Sequence, residues 1–178
     1  MPDIPPRTLV AFFSRAGENY HYGGRAWLDV GNTEVVVGYL SSLVEVDVYR
    51  IVPVDAYPTD YEETVAQNVR EQASDARPRI SDALPDLAGY DRVILASGVW
   101  NVRPPMIMRT FAEALDFTGI TVHPLTTHAG SGLGRAPEIY RLACPGATLA
   151  DGLSIRGEEA QASEPLVRAW LQRIGLLV

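Results

Sequence analysis

The chain has 178 residues, of which 47% are hydrophobic, and it carries a formal net charge of -7 at pH 7. This length suits one domain, over 1–178, with enough apolar content for a single substantial core. The excess of acidic residues argues against binding to nucleic-acid phosphates or to an anionic membrane surface.

The sequence contains a single cysteine, Cys144, and no long apolar run. One cysteine excludes an internal disulfide and a Cys-x-x-Cys redox pair, so any redox role needs a bound cofactor. The longest apolar run, 8–13, is too short to cross a bilayer. We therefore expect a cytoplasmic protein in which Cys144 is a small core or loop residue.

The first half of the chain predicts two strands and two helices. The apolar run TLVAFF (8–13) shows little alternation, which is typical of a strand buried on both faces of a parallel sheet. A helical pattern follows only at 32–44, and EVDVYRIV (45–52) then alternates apolar with charged residues, as in a less covered edge strand. A Thr59-x-x-Glu62 capping box predicts a helix over 60–74.

The second half predicts three more strands and the last helices. The stretch 67–90 has no clear periodicity and is interpreted as a solvated helix end followed by a connecting loop. A helix is expected over 104–115, and a final one from Ser163, which can cap it, to Gly175, which offers a left-handed stop. The strands are expected over RVILAS (92–97), ITVHPLTT (120–127) and, with an interruption near Asp151, ATLADGLSI (147–155).

Strands alternate with helices along the chain, which predicts a doubly wound α/β domain with a parallel sheet and helices on both faces. In such open sheets, ligands bind at the carboxyl ends of the strands, where the winding direction reverses. The loops after the three central strands are therefore the candidate site.

The first of these loops separates the first strand from the first helix by seventeen residues, 15–31. Ser14 ends the strand, and Asn32 and Thr33 open the helix. Unpaired N–H groups and hydroxyls at a helix N-terminus favour an anion, so a phosphate is the simplest occupant. Alternatively, Asn32 or Thr33 only caps the helix. The Gly-x-x-x-x-Gly-Lys-Ser/Thr and Gly-x-Gly-x-x-Gly loops are both missing here.

The second loop, SGVWNVRPP (97–105), suits an aromatic ring system. Gly98 lets the backbone approach a ligand closely, Trp100 offers a flat face, and Asn101 can donate and accept hydrogen bonds. The alternative interpretation is that Trp100 packs in the core and Asn101 lies in a turn.

The third loop, TTHAGSGLG (126–134), supplies hydroxyls, one imidazole and three glycines. His128 and Ser131 do not indicate a hydrolase, because a Gly-x-Ser-x-Gly elbow needs glycine where Ala129 and Leu133 stand. No carboxylate or second histidine has ligand spacing to His128, so a metal site is not predicted.

Taken together, the motifs in these loops resemble the flavodoxin family, in particular its longer flavodoxin-like branch. The matching segments are FSRAGEN (13–19), GNTE (31–34), YPTDY (57–61), GVWN (98–101), DFTG (116–119) and THAGSGLG (127–134). Their order and spacing make the combination specific over about 8–160.

The resemblance implies a five-stranded parallel sheet of order 2-1-3-4-5 that binds FMN at the switch point between its first and third strands. It also implies that 14–17 and 32–33 are two halves of a phosphate loop, with an insert at about 18–30. The loop after the third strand would wall the flavin, and 127–132 would line its pyrimidine side. The implied cofactor-binding residues are Ser14, Arg15, Ala16, Gly17, Asn32, Thr33, Ser97, Gly98, Val99, Trp100, Asn101, Val102, Thr127, His128, Ala129, Gly130, Ser131 and Gly132.

The sequence departs from the family pattern at several positions. Ala16 stands where simpler flavodoxins carry Thr, Ala129 replaces a glycine, and Ile120 replaces a lysine. No Tyr follows Trp100 at the usual second stacking position, which leaves the outer flavin face to the insert. The candidates there are Tyr20, His21, Tyr22 and Trp27.

The leading hypothesis is an FMN-binding protein that transfers electrons through the flavin to a redox partner protein, with no catalytic side chain or metal. An alternative is an FMN-dependent NAD(P)H:quinone-type oxidoreductase that reduces a small-molecule acceptor such as a quinone, with His21 or His128 steadying an oxyanion. A third is a flavodoxin fold without flavin that serves as a binding module, for which Ala16 and Ala129 are the only support.

Overall fold

The computed structural model describes residues 7–178, and eight strands and five α-helices lie in that range. In chain order they are β1 (Thr8–Phe12), β2 (Gly17–His21), β3 (Gly24–Leu28), α1 (Asn32–Leu43), β4 (Asp47–Arg50), α2 (Tyr61–Ala73), β5 (Arg92–Gly98), α3 (Met106–Glu113), β6 (Thr121–His128), α4 (Ala136–Ala143), β7 (Thr148–Leu149), β8 (Leu153–Arg156) and α5 (Glu164–Arg173). A 3-10 helix, Gly157–Ala162, connects β8 to α5. In this part of the chain, no helix is long and apolar enough to cross a membrane.

Six of the strands form one parallel sheet in the order β4-β1-β5-β6, with β7 and β8 both paired to β6. β7 and β8 are two pieces of one last strand, which confirms the predicted interruption near Asp151. The sheet therefore has five positions in the order 2-1-3-4-5, which confirms the predicted doubly wound fold. Among the described strands, β4 pairs with β1 alone, as expected of an edge strand.

The side chains of β1 alternate between two apolar cores. Leu9 and Ala11 pack into a core with α3 and α4, whereas Val10 and Phe12 pack into a second core with α1 and α5. Helices therefore cover both faces of the sheet, which explains why the central strands show little alternation. Cys144 lies in the first core and is 1% exposed, which confirms the prediction of a small core residue.

Two helices begin differently from the prediction. At α2 the capping side chain is Asp60, whose carboxylate accepts a 2.8 Å hydrogen bond from the Glu63 N–H, so the capping box at Thr59 is wrong. Asp caps as well as Thr, and Asp60 is the residue next to the helix. At α5, Ser163 occupies the cap position, but its hydroxyl donates to the Ala160 carbonyl at 2.7 Å instead.

The end of α2 is less solvated than its sequence suggests. Glu71 is only 9% exposed, and its carboxylate accepts hydrogen bonds from the Tyr57 hydroxyl and the Gln67 amide, both at 2.9 Å. Apolar periodicity is missing here because the buried positions at this end of α2, Asn68 and Glu71, carry polar side chains.

β2 and β3 form an antiparallel hairpin, here called the hairpin, over residues 17–28. Its turn residues, Tyr22 and Gly23, have positive φ angles of 45° and 82°, as in a type I′ turn. Most of the segment predicted as an insert is thus regular structure. Its role as an insert in a phosphate loop stays a prediction.

Candidate functional site

A cleft of about 120 Å³ opens at the carboxyl ends of β1, β5 and β6, beside the N-terminus of α1. This is the switch point of the sheet, where ligands bind in open α/β folds. The cleft is lined by Phe13, Ser14, Arg15, Asn19, Tyr20, Asn32, Thr33, Tyr61, Gly98, Val99, Trp100, Thr127, His128, Ala129, Gly157 and Glu158.

The first turn of α1 forms one end of the cleft. Gly31 occupies its cap position without a side-chain hydrogen bond, so neither Asn32 nor Thr33 caps the helix. A Cβ at Gly31 would lie 2.2 Å from the Ser14 hydroxyl, and that hydroxyl accepts a 3.2 Å hydrogen bond from the Glu34 N–H. The N–H groups of Asn32 and Thr33 have no acceptor within the helix and lie at its positive end. This end of the cleft therefore suits an anion.

Two contacts hold α1 against the opposite wall. The hydroxyls of Thr33 and Thr127 form a buried hydrogen bond of 2.8 Å. Gly157 packs on the Asn32 amide so closely that a Cβ at Gly157 would lie 2.6 Å from Nδ2 of Asn32. The end of β6 and the start of the 3-10 helix therefore lie next to the anion-binding end of the cleft.

The Arg15 side chain binds carbonyl groups of the protein itself. Its guanidinium donates to the carbonyls of Ala16, Pro58 and Thr59 at 3.1 to 3.2 Å, and it also contacts the Glu18 carbonyl. Burial lowers the pKa of this guanidinium, although neighbouring acidic groups act to raise it. Arg15 therefore anchors the hairpin to the 58–59 loop, and its side chain is already occupied.

The base of the hairpin is attached to the N-terminus of α2. Gly17 has a φ of 95°, and a Cβ there would lie 2.8 Å from the Thr59 carbonyl oxygen. That oxygen accepts a 2.9 Å hydrogen bond from the Glu18 N–H, and the Glu18 carboxylate accepts one of 3.0 Å from the Tyr61 N–H. A larger side chain at Gly17 would separate these contacts.

The tip of the hairpin is attached to the 3-10 helix on the other side of the cleft. The Tyr22 N–H donates a 2.9 Å hydrogen bond to Oε1 of Glu158. Tyr20, on β2 of the hairpin, lines the cleft. The hairpin therefore spans the cleft from α2 to the 3-10 helix. His21, Tyr22 and Trp27, the other candidates for the outer face of a ring, are exposed and do not line the cleft.

Trp100 both packs against other aromatic rings and lines the cleft, so both interpretations of its sequence position hold in part. Its ring makes edge contacts with Phe13 and Tyr57, at centroid distances of 5.6 and 5.1 Å, and it also lines the cleft. Gly98 is close beneath it, since a Cβ there would lie 3.4 Å from Nε1 of Trp100. The cleft thus has a partly buried aromatic wall held by other rings.

The residues after Trp100 form a turn that leads away from the cleft. The Trp100 N–H donates to the Arg103 carbonyl at 2.7 Å, and Asn101 and Val102 between them have positive φ angles of 51° and 59°. The Asn101 amide donates to Gln72 at 3.0 Å. Asn101 therefore lies in a turn and does not wall the cleft. Val102 is strained, because a β-branched residue disfavours this conformation.

His128 and Glu158 are two titratable groups that line the cleft. Burial lowers the pKa of His128, and Arg156 lowers it further. Burial acts to raise the pKa of Glu158, but the hydrogen bond from Tyr22 and the charges of Arg156 and His21 outweigh it, so the pKa lies below its usual range. Near neutral pH, His128 is therefore mostly neutral and Glu158 is ionised.

The structure brings ten of the predicted site residues together in the cleft: Ser14, Arg15, Asn32, Thr33, Gly98, Val99, Trp100, Thr127, His128 and Ala129. Eight do not line it: Ala16, Gly17, Ser97, Asn101, Val102, Gly130, Ser131 and Gly132. Ser97 is fully buried, and Ala16 and Gly17 line a second cavity of about 370 Å³ on the other side of the hairpin base.

Sequence reasoning missed several lining residues. Asn19 and Tyr61 lie inside matched motifs and could have been proposed from them. Gly157 and Glu158 had no signal, because the 3-10 helix that carries them follows a short, broken strand. Within 7–178, no group of three or more His, Cys, Asp or Glu residues is placed to hold a metal ion.

Comparison with known proteins places this cleft in context. A sequence model of the flavodoxin family matches residues 26–174. A comparison with curated proteins finds no match. A candidate flavoprotein from Bacteroides eggerthii is 25% identical with a TM-score of 0.75, over 96% of this chain and 98% of that one. A second, from Bacteroides uniformis, is 25% identical with a TM-score of 0.73, over 95% and 99% of the two chains.

A more distant structure shares the fold. It is a flavoprotein in complex with FMN from Lactobacillus acidophilus, with 14% identity and a TM-score of 0.63 over 89% of this chain and 97% of that one.

Proposed function

This chain belongs to the flavodoxin family, and from that premise we propose that it binds FMN in the cleft and transfers electrons through the bound flavin. One observation carries the proposal: the cleft combines an anion-binding helix end at Asn32 and Thr33 with an aromatic wall at Trp100. FMN has both a phosphate and a planar ring system. A similarly folded flavoprotein has been solved with FMN bound.

The residues present fit this cofactor. The N–H groups of Asn32 and Thr33 would hold the phosphate, and Gly31 lets the loop after β1 pack directly against this helix end, since a Cβ there would lie 2.2 Å from the Ser14 hydroxyl. The backbone at Gly98 and the ring of Trp100 would hold the isoalloxazine. When bound, FMN supplies one- and two-electron chemistry, while the chain orients it and excludes water.

The proposal includes the partner and the location. The net charge of -7 favours docking on a basic redox protein, and a small-molecule acceptor such as a quinone is the other possible partner. The single buried cysteine suits the reducing cytoplasm, where we place the protein.

A second candidate function is an FMN-dependent NAD(P)H oxidoreductase. It is favoured by His128, whose side chain lines the cleft. Burial lowers the pKa of this imidazole, so the neutral ring can donate a hydrogen bond to a developing oxyanion. Oxidation of NADH or NADPH by the FMN-loaded protein in the presence of a soluble quinone would favour the enzyme. Its absence, together with reversible flavin reduction by dithionite, would favour the carrier.

The test is a titration of flavin-stripped protein with FMN and with riboflavin, followed by quenching of flavin fluorescence. We expect FMN to bind at least about tenfold more tightly than riboflavin, because only FMN occupies the helix end. Trp100→Leu is expected to weaken both ligands about tenfold, whereas Trp27→Leu, at an exposed position outside the cleft, is the matched control. If neither flavin is quenched, the protein is a binding module without flavin and the proposal fails.

A further inference from the structure

A groove of about 120 Å³, here called the α3–α4 groove, lies between α3 and α4 and is separate from the cleft. Three arginines line it, Arg103, Arg109 and Arg135, together with a single carboxylate, that of Glu138. The rest of its lining is apolar and includes Met106, Ile139 and Leu142. The groove is thus both basic and apolar, on a chain whose net charge is -7.

Arg103 is the arginine of this groove that has no partner. Arg109 and Arg135 form ion pairs with carboxylates at 2.8 to 2.9 Å. The Arg103 side chain makes no hydrogen bond or ion pair with any residue of 7–178, although it is partly buried. The other arginines of this range without such a partner are all exposed: Arg70, Arg79, Arg141 and Arg156. Removing a charge from water without a counter-charge costs free energy, so Arg103 calls for an anion.

A ligand can reach this guanidinium. Arg103 lines the open groove, and none of its nitrogens is sealed from solvent. The side chain of Arg135 lines the same groove and is 45% exposed. A carboxylate can therefore pair with these groups in the two-point geometry that guanidinium favours.

The surroundings of these charges favour a protein over a small anion. Leu142 lines the groove and is 76% exposed, and Val102, next to Arg103, is 47% exposed. A small anion would gain nothing from these apolar side chains. Arginine and methionine are enriched in protein–protein interfaces, whose cores are apolar, and Met106 lines this groove as well.

One turn connects the groove to the cleft. Val99 and Trp100 line the cleft, whereas Arg103, whose carbonyl accepts a 2.7 Å hydrogen bond from the Trp100 N–H, lines the groove. The Arg135 N–H donates to the Val102 carbonyl of the same turn at 2.8 Å. A protein seated on the groove would therefore lie next to the aromatic wall of the cleft, within a short distance for electron transfer.

We propose that the α3–α4 groove docks an acidic redox protein, whose carboxylates pair with Arg103 and Arg135 around an apolar side chain that packs on Leu142. The redox role of this partner rests on the proposed function. An electron carrier has both a donor and an acceptor, and the groove adds an acidic partner to the basic one that the net charge favours. Because the chain as a whole is acidic, it repels such a partner in other orientations.

The test is a titration of the full-length protein, with and without FMN, followed by its amide NMR spectrum. The probes are an acidic peptide in which leucines alternate with glutamates, the same peptide with glycine for leucine, and inorganic phosphate. The charge variant is Arg103→Glu, and its matched control is Arg168→Glu on α5, which covers the other face of the sheet. The apolar variant is Leu142→Gln, matched by Leu166→Gln, an exposed leucine on α5.

We expect the leucine-containing peptide to shift amide signals within 102–109 and 135–142 and to bind more tightly than the other two probes. Arg103→Glu is expected to weaken this binding about tenfold or more, and Leu142→Gln about threefold or more. Both variants on α5 are expected to stay within about twofold of wild type. Unchanged amide signals away from the groove check that each variant is folded.

The inference is overturned if the shifted signals lie elsewhere, or if Arg103→Glu binds the peptide as tightly as Arg168→Glu does. It is also overturned if phosphate binds as tightly as the peptide, because the groove would then be a general anion site only. A protein that binds the peptide in the groove but binds no FMN keeps the docking surface and loses the proposed electron transfer. A protein that binds FMN but not the peptide loses only the docking surface.

Discussion

The hydroxyl oxygens of Thr33 and Thr127 lie 2.8 Å apart and join the first turn of α1 to the end of β6. Both residues are buried, at 3% and 6% exposed, and both line the cleft. The pair connects two chain segments that are separated by more than ninety positions. This buried polar contact thus helps to hold the anion-binding helix end against β6.

Removing one member of this pair is expected to destabilise the protein more than removing both. Thr127→Val leaves the Thr33 hydroxyl buried without a partner, which costs about 1–3 kcal/mol in free energy of unfolding. The double variant Thr33→Val/Thr127→Val is expected to recover most of that loss. Urea denaturation of the two single variants and the double variant measures the coupling. Additive losses would show that the two hydroxyls are independent.

Gly31 and Gly38 provide a matched test of the close approach at α1. Gly31→Ala would place a Cβ 2.2 Å from the Ser14 hydroxyl, so the loop after β1 must move and FMN affinity is expected to fall at least about tenfold. Gly38→Ala, in the same helix with open space around it, is expected to keep the affinity and to stabilise the protein by about 0.5–1 kcal/mol. Equal affinities for the two variants would contradict the close packing at Gly31.

The Arg15 side chain is expected to matter for the hairpin and not for the phosphate. Arg15→Met removes its hydrogen bonds to the 58–59 carbonyls, so amide hydrogen exchange over 17–28 is expected to rise. The ratio of FMN to riboflavin affinity is expected to stay within about twofold of wild type. Arg25→Met, which breaks an exposed ion pair with Glu62, is the control and should change exchange less. A large fall in the ratio of FMN to riboflavin affinity for Arg15→Met would show that the Arg15 side chain binds the phosphate.

Burial raises the pKa of the Cys144 thiol to about 12. We expect the native protein not to react with a disulfide reagent at pH 8, and one thiol to react after unfolding in denaturant. An unfolded thiol has a pKa of about 8.5, so the native state holds a proton that the unfolded state releases above that pH. The stability due to this thiol is complete below about pH 8.5 and is lost as the pH rises toward 12, by up to about 1.4 kcal/mol per pH unit.

The Cys144→Ala variant is the control for this pH dependence of the free energy of unfolding. Cys144→Ala cannot ionise at this position, so its free energy of unfolding is expected to fall less steeply between pH 8.5 and 10.5 than that of wild type. Parallel slopes, or reaction of the native thiol at pH 8, would show that the thiol is more accessible than its position in the core indicates.

The sequence predicted those parts of the structure that a local pattern of residues determines. The apolar runs at 8–13, 92–97 and 120–127 identify the buried strands, because strands covered on both faces need continuous apolar residues. Ser14, Asn32 and Thr33 could be proposed for the cleft because they flank the first strand and first helix. The parallel topology then brings these positions to one edge of the sheet.

The remaining features depend on contacts between distant segments, which no local pattern encodes. The Arg15 guanidinium binds carbonyls more than forty positions away, and the Glu71 carboxylate binds Tyr57. Asn101 turns toward Gln72 on α2 instead of the cleft. Glu158 reaches the cleft only because β8 pairs with β6 and the hairpin meets the 3-10 helix.

The attachment of the hairpin has a consequence for kinetics. Its base is held by several contacts, whereas its tip is held by the hydrogen bond between Tyr22 and Glu158. The free space of about 120 Å³ in the cleft is smaller than the roughly 300 Å³ or more of typical small-molecule sites, and we expect the tip of the hairpin to move aside when a flavin binds. We therefore expect the observed association rate to level off at high FMN concentration, at the rate with which the tip releases. Residence time would then be governed by a backbone hydrogen bond that the flavin does not itself make.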